Sequence, residues 1–250
     1  QARYAARHTR ETLQFFGIEP GMTVVEGLPG SGWYTKILLP LMGSEGHLVG
    51  ADYAEDMYPR FGFFSQEILD SKKTWVTDWP AEASTWIEEG APAISAFQFG
   101  SLPESMYGTA DAVFMVRAMH NLARFESKGG YLSMAVADMF NVLKPGGTLG
   151  VVQHEARDDM PNDWADGSRG YLKESFVIET LRNAGFVLEE SSDMNNNPKD
   201  QPTTEEMVWR LPPSYVTSKD NPELRAELEA IGESHRMTLR FRKPLAVPAR

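Results

Sequence analysis

Apolar residues concentrate in seven short runs, separated by segments in which they recur every three or four positions. The runs are Met22 to Val25, His47 to Ala51, Ile94 to Phe99, Ala110 to Val116, Thr148 to Gln153, Phe186 to Glu189 and Met237 to Phe241. Ala110 to Val116 is apolar at nearly every position, as in a parallel strand covered on both faces, and Thr148 to Gln153 reads the same way. Met237 to Phe241 alternates, which predicts an edge strand with Arg236, Arg240, Arg242 and Lys243 on its wet side. Helical spacing predicts helices over Tyr4 to Phe16, Trp33 to Met42, Glu55 to Leu69, a segment carrying Leu132, Val136, Met139 and Leu143, Glu174 to Asn183, and Glu223 to Ile231. Residues 72–92 are rich in Trp and Pro with weak periodicity, and predict an insertion. Residues 195–222 are polar and proline-rich, and predict a loop. Strands alternating with helices imply an α/β, doubly wound, mainly parallel sheet in one domain over residues 1–250.

The first run ends in Glu26, and the sequence Gly27-Leu28-Pro29-Gly30-Ser31-Gly32 separates it from the next helix. Glycine admits positive φ and lets a ligand approach the backbone. Ligands of open α/β sheets bind beyond the carboxyl ends of the strands, so this turn is the predicted mouth of a site. Asp52 ends the second strand, where a carboxylate can accept hydrogen bonds from ribose hydroxyls. A dinucleotide turn reads G-x-G-x-x-G, and Thr35 stands where its third glycine would be. An acidic Glu26 also suits a cationic cofactor better than a pyrophosphate. The residues therefore favour S-adenosylmethionine, with an NAD(P)-dependent oxidoreductase as the alternative.

Several segments together resemble class I methyltransferases. Val24-Val25-Glu26 through Gly30-Ser31-Gly32 is similar to their motif I, and Val49-Gly50-Ala51-Asp52 to the end of their second strand. Asp111 to Val116 resembles their fourth strand, and Leu143 to Leu149 the turn before their fifth. Gly32-Trp33-Tyr34-Thr35, Arg117 to Asn121 and Gly232 to Met237 resemble a family of uncharacterised, predicted bacterial methyltransferases whose members often carry secretion signals. The resemblance implies a seven-stranded sheet with an antiparallel last strand. It implies S-adenosyl-L-methionine held by Glu26, Gly27, Pro29, Gly30, Gly32, Tyr34, Asp52, Tyr53, Ser101 and Arg117. Two departures stand out: Leu28 and Pro29 displace the usual first glycine, and Gly100-Ser101 replaces the carboxylate that often holds adenine.

The expected substrate pocket lies at the carboxyl ends of the fourth and fifth strands, and both ends carry histidine. His120 and His154 are the candidate bases, because imidazole titrates near neutrality; Asn121 and Tyr171 are candidate substrate contacts. His120, His154 and Glu155 are an alternative metal triad, although no metal is the expectation. Arg7 and His8 read as surface residues of the first helix, with closure of that helix over the cofactor as the other reading; His47 reads as structural and His235 as exposed. Trp75, Trp79 and Trp86 read as a satellite cluster under a loop, with a substrate lid as the other reading. Tyr171 and Trp164 share a glycine-rich loop.

The formal net charge of −11 argues against a nucleic-acid partner, since no basic patch offsets it. No apolar run reaches the roughly 18–20 residues of a membrane span, so no membrane partner is expected. There are no cysteines, which excludes thiolate metal sites and cysteine nucleophiles. The first residue is Gln1, which leaves a periplasmic or secreted protein and a cytoplasmic one both open. The expected function is methyl transfer to a small-molecule acceptor. A protein that binds S-adenosylmethionine without turnover is the other alternative, and the oligomeric state is not legible.

Overall fold

Runs of β-branched and apolar residues pair side by side because only a sheet covered on both faces buries every position at once. In the computed structural model, which describes residues 3–87 and 89–245, the strands are β1 (Thr23–Gly27), β2 (His47–Asp52), β3 (Ala93–Gln98), β4 (Ala110–Val116), β5 (Leu143–His154), β6 (Val187–Ser191) and β7 (Arg236–Arg242). They form one sheet in the order β3-β2-β1-β4-β5-β7-β6. Strands β1 to β5 pair in parallel, and β7 runs antiparallel between β5 and β6. The helices are α1 (Tyr4–Arg7), α2 (Thr9–Phe15), α3 (Thr35–Met42), α4 (Gln66–Ser71), α5 (Trp75–Ser84), α6 (Met119–Arg124), α7 (Glu126–Gly129), α8 (Tyr131–Val142), α9 (Glu174–Asn183) and α10 (Pro222–Ile231). Among the described residues, no helix is long and apolar enough to cross a membrane.

Successive strand residues point to opposite faces, and the core divides accordingly. Val25, Val49, Val113, Leu149 and Val151 pack with Met119 of α6, Leu132 and Val136 of α8 and Val177 of α9. Val24, Leu48, Ala112, Phe114 and Val152 pack with Leu13 of α2, Leu38 of α3 and Trp79 of α5.

Four expectations are corrected. The first helix is two helices, because His8 takes the left-handed conformation at φ 42°. The helix over Glu55 to Leu69 divides at Gly62, φ 77°, into a 3-10 helix Glu55–Phe61 and the separate α4. Residues 72–92, where the weak periodicity gave no helix, contain α5, which lies between β2 and β3. Trp75, Trp79 and Ala83 share one face of it at i, i+4, i+8 spacing, and Trp79 and Ala83 are buried against the sheet. These tryptophans therefore belong to the main core rather than to a satellite cluster. Finally, β7 is interior and β6 is the edge strand. Arg236 at the start of β7 is only 3% exposed, while Arg240 and Arg242 reach the β6 carboxylates Glu190 and Glu189. Residues 195–222 are largely irregular, as expected, with one 3-10 turn at Val208–Arg210.

The Trp79 ring explains the glycine in β2. A Cβ on Gly50 would lie 2.5 Å from that ring, which is fixed by its own packing. Gly50→Ala is therefore expected to cost about 1–3 kcal/mol through overpacking, measured as a fall in the urea midpoint at unchanged slope.

Candidate functional site

The carboxyl ends of β1, β2, β4 and β5 converge on a polar, largely buried region. At the end of β1 the chain turns through Leu28 at φ 59°, Gly30 at φ 55° and Gly32 at φ 79°. A left-handed leucine is uncommon and costs about 1–2 kcal/mol. It stands where the sequence departs from the usual glycine pattern, so the turn keeps its shape at the expense of strain. Gly30 is exposed, and a Cβ there would approach only the Leu28 carbonyl oxygen, at 3.9 Å. Gly32 has the Trp86 ring against it: a Cβ would lie 2.4 Å away. Pro29 is buried, and Gly27 packs on the Met115 side chain.

Glu26 is 3% exposed. Its Oε2 accepts a hydrogen bond from the Thr35 hydroxyl at 2.7 Å. Among the described residues no cation pairs with it. Burial pushes its carboxyl up to about 7, the Thr35 hydrogen bonds offsetting only part of the effect. Thr35, which failed the dinucleotide pattern, is thus the residue that holds the acid.

Asp52 is buried but already engaged. Its Oδ2 accepts from the Tyr58 hydroxyl at 2.6 Å and pairs with Lys72 Nζ at 3.0 Å. Its Oδ1 accepts the Tyr53 backbone N–H at 2.9 Å, which leaves that oxygen a second lone pair. Tyr53 receives a hydrogen bond on its hydroxyl from Asn121 Nδ2 at 2.9 Å, joining the β2 end to α6. Ser101 is exposed. A carboxylate does sit beside it: Asp138 of α8 accepts the Gly100 N–H at 2.6 Å. Because it comes from a distant helix, nothing around Ser101 signals it.

The two histidines are brought together, with ring centroids 5.6 Å apart. Gln153 between them has a defined orientation. Its Nε2 donates to the carbonyl oxygens of Gly170 and His154, at 3.0 and 3.2 Å, so its Oε1 must accept. Its Oε1 lies 3.3 Å from His120 Nδ1. His120 therefore carries its proton on Nδ1 and keeps a basic lone pair on Nε2. Burial lowers His120 to about 4, helped by the Arg117 and Arg124 charges. Burial, then His120 and the arginines 117, 236 and 7, hold His154 well below the usual imidazole range. Its Nδ1 lies 2.5 Å from the Ser234 hydroxyl. Trp209 stands edge-on to His120, and Tyr171 edge-on to His154.

Tyr171 is fully buried, so it backs the histidine pair instead of lining an open pocket. Its hydroxyl donates to Asp200 at 3.0 Å, and Arg210 binds both groups. Glu155 turns away from the histidine pair to His235, 3.3 Å distant. His235 is half-buried rather than exposed. Among the described residues, no group of three His, Asp or Glu is placed to hold a metal ion.

Arg117 follows β4 at φ 57°, and its ion pair is with Glu233 rather than with the glycine turn. It joins Arg7 and Arg236 around one carboxylate. Glu233 pairs with Arg7 at 3.0 Å, Arg236 at 3.2 Å and Arg117 at 3.6 Å. Arg7, expected at the surface, is 5% exposed and stacks on Trp33 with its guanidinium 4.4 Å from the ring centroid. Tyr34 is buried beside this cluster, edge-on to Phe114. The run Glu233 to Arg236 supplied the missed signal: four polar residues in succession at the entry to a buried strand.

Comparison with solved structures finds the same architecture. A S-adenosylmethionine-dependent methyltransferase from Aquifex aeolicus matches 97% of this chain and 93% of its own, at 15% identity and TM-score 0.53. The 1,6-didemethyltoxoflavin-N1-methyltransferase of Burkholderia thailandensis, with bound 1,6-didemethyltoxoflavin and S-adenosylhomocysteine, matches 96% and 78%, at 13% identity and TM-score 0.51. This is the methyltransferase fold. The [4+2]-cyclase SpnF also matches, over 96% and 81%, at 16% identity and TM-score 0.55. No family model matches the chain, and no curated protein does. On the methyltransferase fold the glycine turn, Glu26 and Asp52 lie at the carboxyl edge of β1 and β2, and His120 and His154 lie at that of β4 and β5.

Proposed function

We propose that the protein binds S-adenosylmethionine and transfers its methyl group to a small-molecule acceptor. The observation that carries this is Glu26: a buried carboxylate without a cation, at the turn where the fold takes its ligand. Such a group costs free energy until a positive charge meets it. Glu26 would receive the cationic part of the cofactor, the Gly27 to Gly32 backbone would lie along it, and Asp52 Oδ1 has a lone pair for a ribose hydroxyl. The cofactor supplies an electrophilic methyl group; the chain aligns the acceptor and takes up its proton. An acidic turn without a third glycine does not suit a pyrophosphate, so nicotinamide chemistry is the weaker reading.

On the acceptor side, His120 Nε2 is the proposed proton acceptor, with Asn121 and His154 bordering it. A weakly basic imidazole suffices for a proton that alkylation has made acidic. His120→Gln is expected to lower kcat by about 10²-fold or more and to leave cofactor affinity within twofold.

A second reading is binding without methyl transfer. Its support is that Lys72 and Tyr58 already occupy Asp52 and that Trp86 covers Gly32; the cyclase likeness is in keeping with it. Calorimetry separates the cases. Saturable binding of S-adenosylmethionine and S-adenosylhomocysteine is expected, and no binding of either at millimolar concentration would overturn both readings. Binding without turnover on any acceptor of a small-molecule panel would favour the second.

A further inference from the structure

Among the described residues, Arg7, Arg117 and Arg236 form ion pairs with a single carboxylate, Glu233. Guanidinium groups stay charged in proteins, so three cations against one anion leave two uncompensated positive charges in a mostly buried cluster. Such an excess opposes folding, because each uncompensated buried charge costs several kcal/mol.

The donors are unequally used. Arg236 spends its guanidinium on Ser234 O, Glu233 and Ala6 O. Among the described residues, Arg7 donates to Glu233 through Nε alone, and its two terminal nitrogens make no hydrogen bond. Arg117 reaches Glu233 only at 3.6 Å, and its Nε is wholly buried without a hydrogen bond. Its backbone is held left-handed at φ 57°, and strained backbone of this kind gathers at ligand sites. His154 pairs with Arg236 across β5 and β7, and its imidazole feels all three arginines, as does the Tyr34 hydroxyl.

We propose that the Arg7–Arg117–Arg236 cluster receives a carboxylate-type oxyanion carried by the methyl acceptor. The assignment to the acceptor rests on the methyltransferase reading; the anion site itself does not. An acid bound there would meet the planar donors of Arg7 and Arg117, which match carboxylate geometry, and would set the rest of the acceptor beside the histidine pair. It would also offset the arginine charges that hold His154 down, so the same contact that positions the acceptor makes the neighbouring imidazole more basic.

The test uses malonate as probe on the full chain, followed by thermal midpoint at ionic strength held constant with chloride. Malonate is expected to raise the midpoint saturably, and to do so equally with S-adenosylhomocysteine at saturation. Arg117→Met is expected to weaken the malonate response at least tenfold while the ligand-free midpoint stays level or rises, since a repelling charge has gone; a merely structural arginine would lower it. Arg7→Met gives an independent check on the malonate response. A malonate effect no larger than that of chloride overturns the site. A malonate effect abolished by S-adenosylhomocysteine overturns the acceptor assignment, because the cofactor's own carboxylate then fills the cluster. Malonate binding in a protein that ignores S-adenosylhomocysteine at millimolar concentration also overturns the acceptor assignment, and does so by removing the methyltransferase reading while the anion site stands.

Discussion

Glu26→Gln is expected to stabilise the ligand-free protein at pH 8 by about 3 kcal/mol, and to weaken S-adenosylmethionine binding by one to two orders of magnitude. Burial pushes the Glu26 carboxyl from 4.5 up to about 7. The folded chain therefore holds a proton that the unfolded chain has already lost between those values. Stability falls as pH rises from about 4.5 to about 7 and is level above that. At 1.36 kcal/mol per pH unit, the cost at pH 8 is about 3 kcal/mol. Glutamine keeps the Thr35 hydrogen bond and removes the cost. Urea midpoints at pH 4.5 and pH 8 check this: the variant should differ little from wild type at the lower pH and exceed it at the higher. Binding should change in the opposite sense, because hydrogen bonds to charged groups contribute about 1.5–3 kcal/mol. Wild-type affinity should fall below pH 7, where the cation must displace a proton. Calorimetry in buffers of different ionisation enthalpy should register proton release on binding near pH 7. A pH-independent affinity would remove Glu26 from the site.

The second large effect concerns Asp200. Its side chain is fully buried and accepts from Tyr171, Arg210 Nη2 and the His235 N–H, at 3.0, 2.8 and 3.0 Å. Asp200→Ala leaves Arg210 buried with only the partly exposed Glu206 as counter-ion, and leaves the Tyr171 hydroxyl without its acceptor. Removing one partner of such a pair costs about 3–5 kcal/mol, which at this chain length lowers the melting midpoint by about 10 °C. Scanning calorimetry reads it. Because Tyr171 backs His154 at the end of β5, turnover should fall as well, whereas S-adenosylhomocysteine binding at the ends of β1 and β2 should persist. A melting midpoint within 2 °C of wild type would show that Asp200 is not the anchor of this loop.

Much of the fold was legible because the strands are buried on both faces, and such runs read as strands without any partner being known. The departures trace to long-range pairing. Arg236, Arg240 and Arg242 alternate with apolar residues as on an exposed edge; only the insertion of β7 between β5 and β6 turns them toward Glu233, Glu190 and Glu189. Residues 72–92 hid a helix because Trp75, Trp79 and Ala83 bury one face while the proline and polar residues blur the period. At the site, Glu26, Asp52, His120 and His154 were legible from their places at strand ends. Thr35, Lys72, Tyr58 and Asp138 were not, since each reaches its partner from another element. Arg7 meets Glu233 across almost the whole chain, which no local pattern can announce.

Trp86 lies against Gly32 and carries Lys36 4.5 Å above its ring centroid. The indole thus sits at the mouth of the glycine turn with a cation over its face, in an environment that any ligand entering the turn must alter. The chain carries its own optical reporter there: emission from Trp86, isolated by substituting that one residue for phenylalanine and subtracting, should follow occupancy of the turn while remaining blind to events at the arginine cluster.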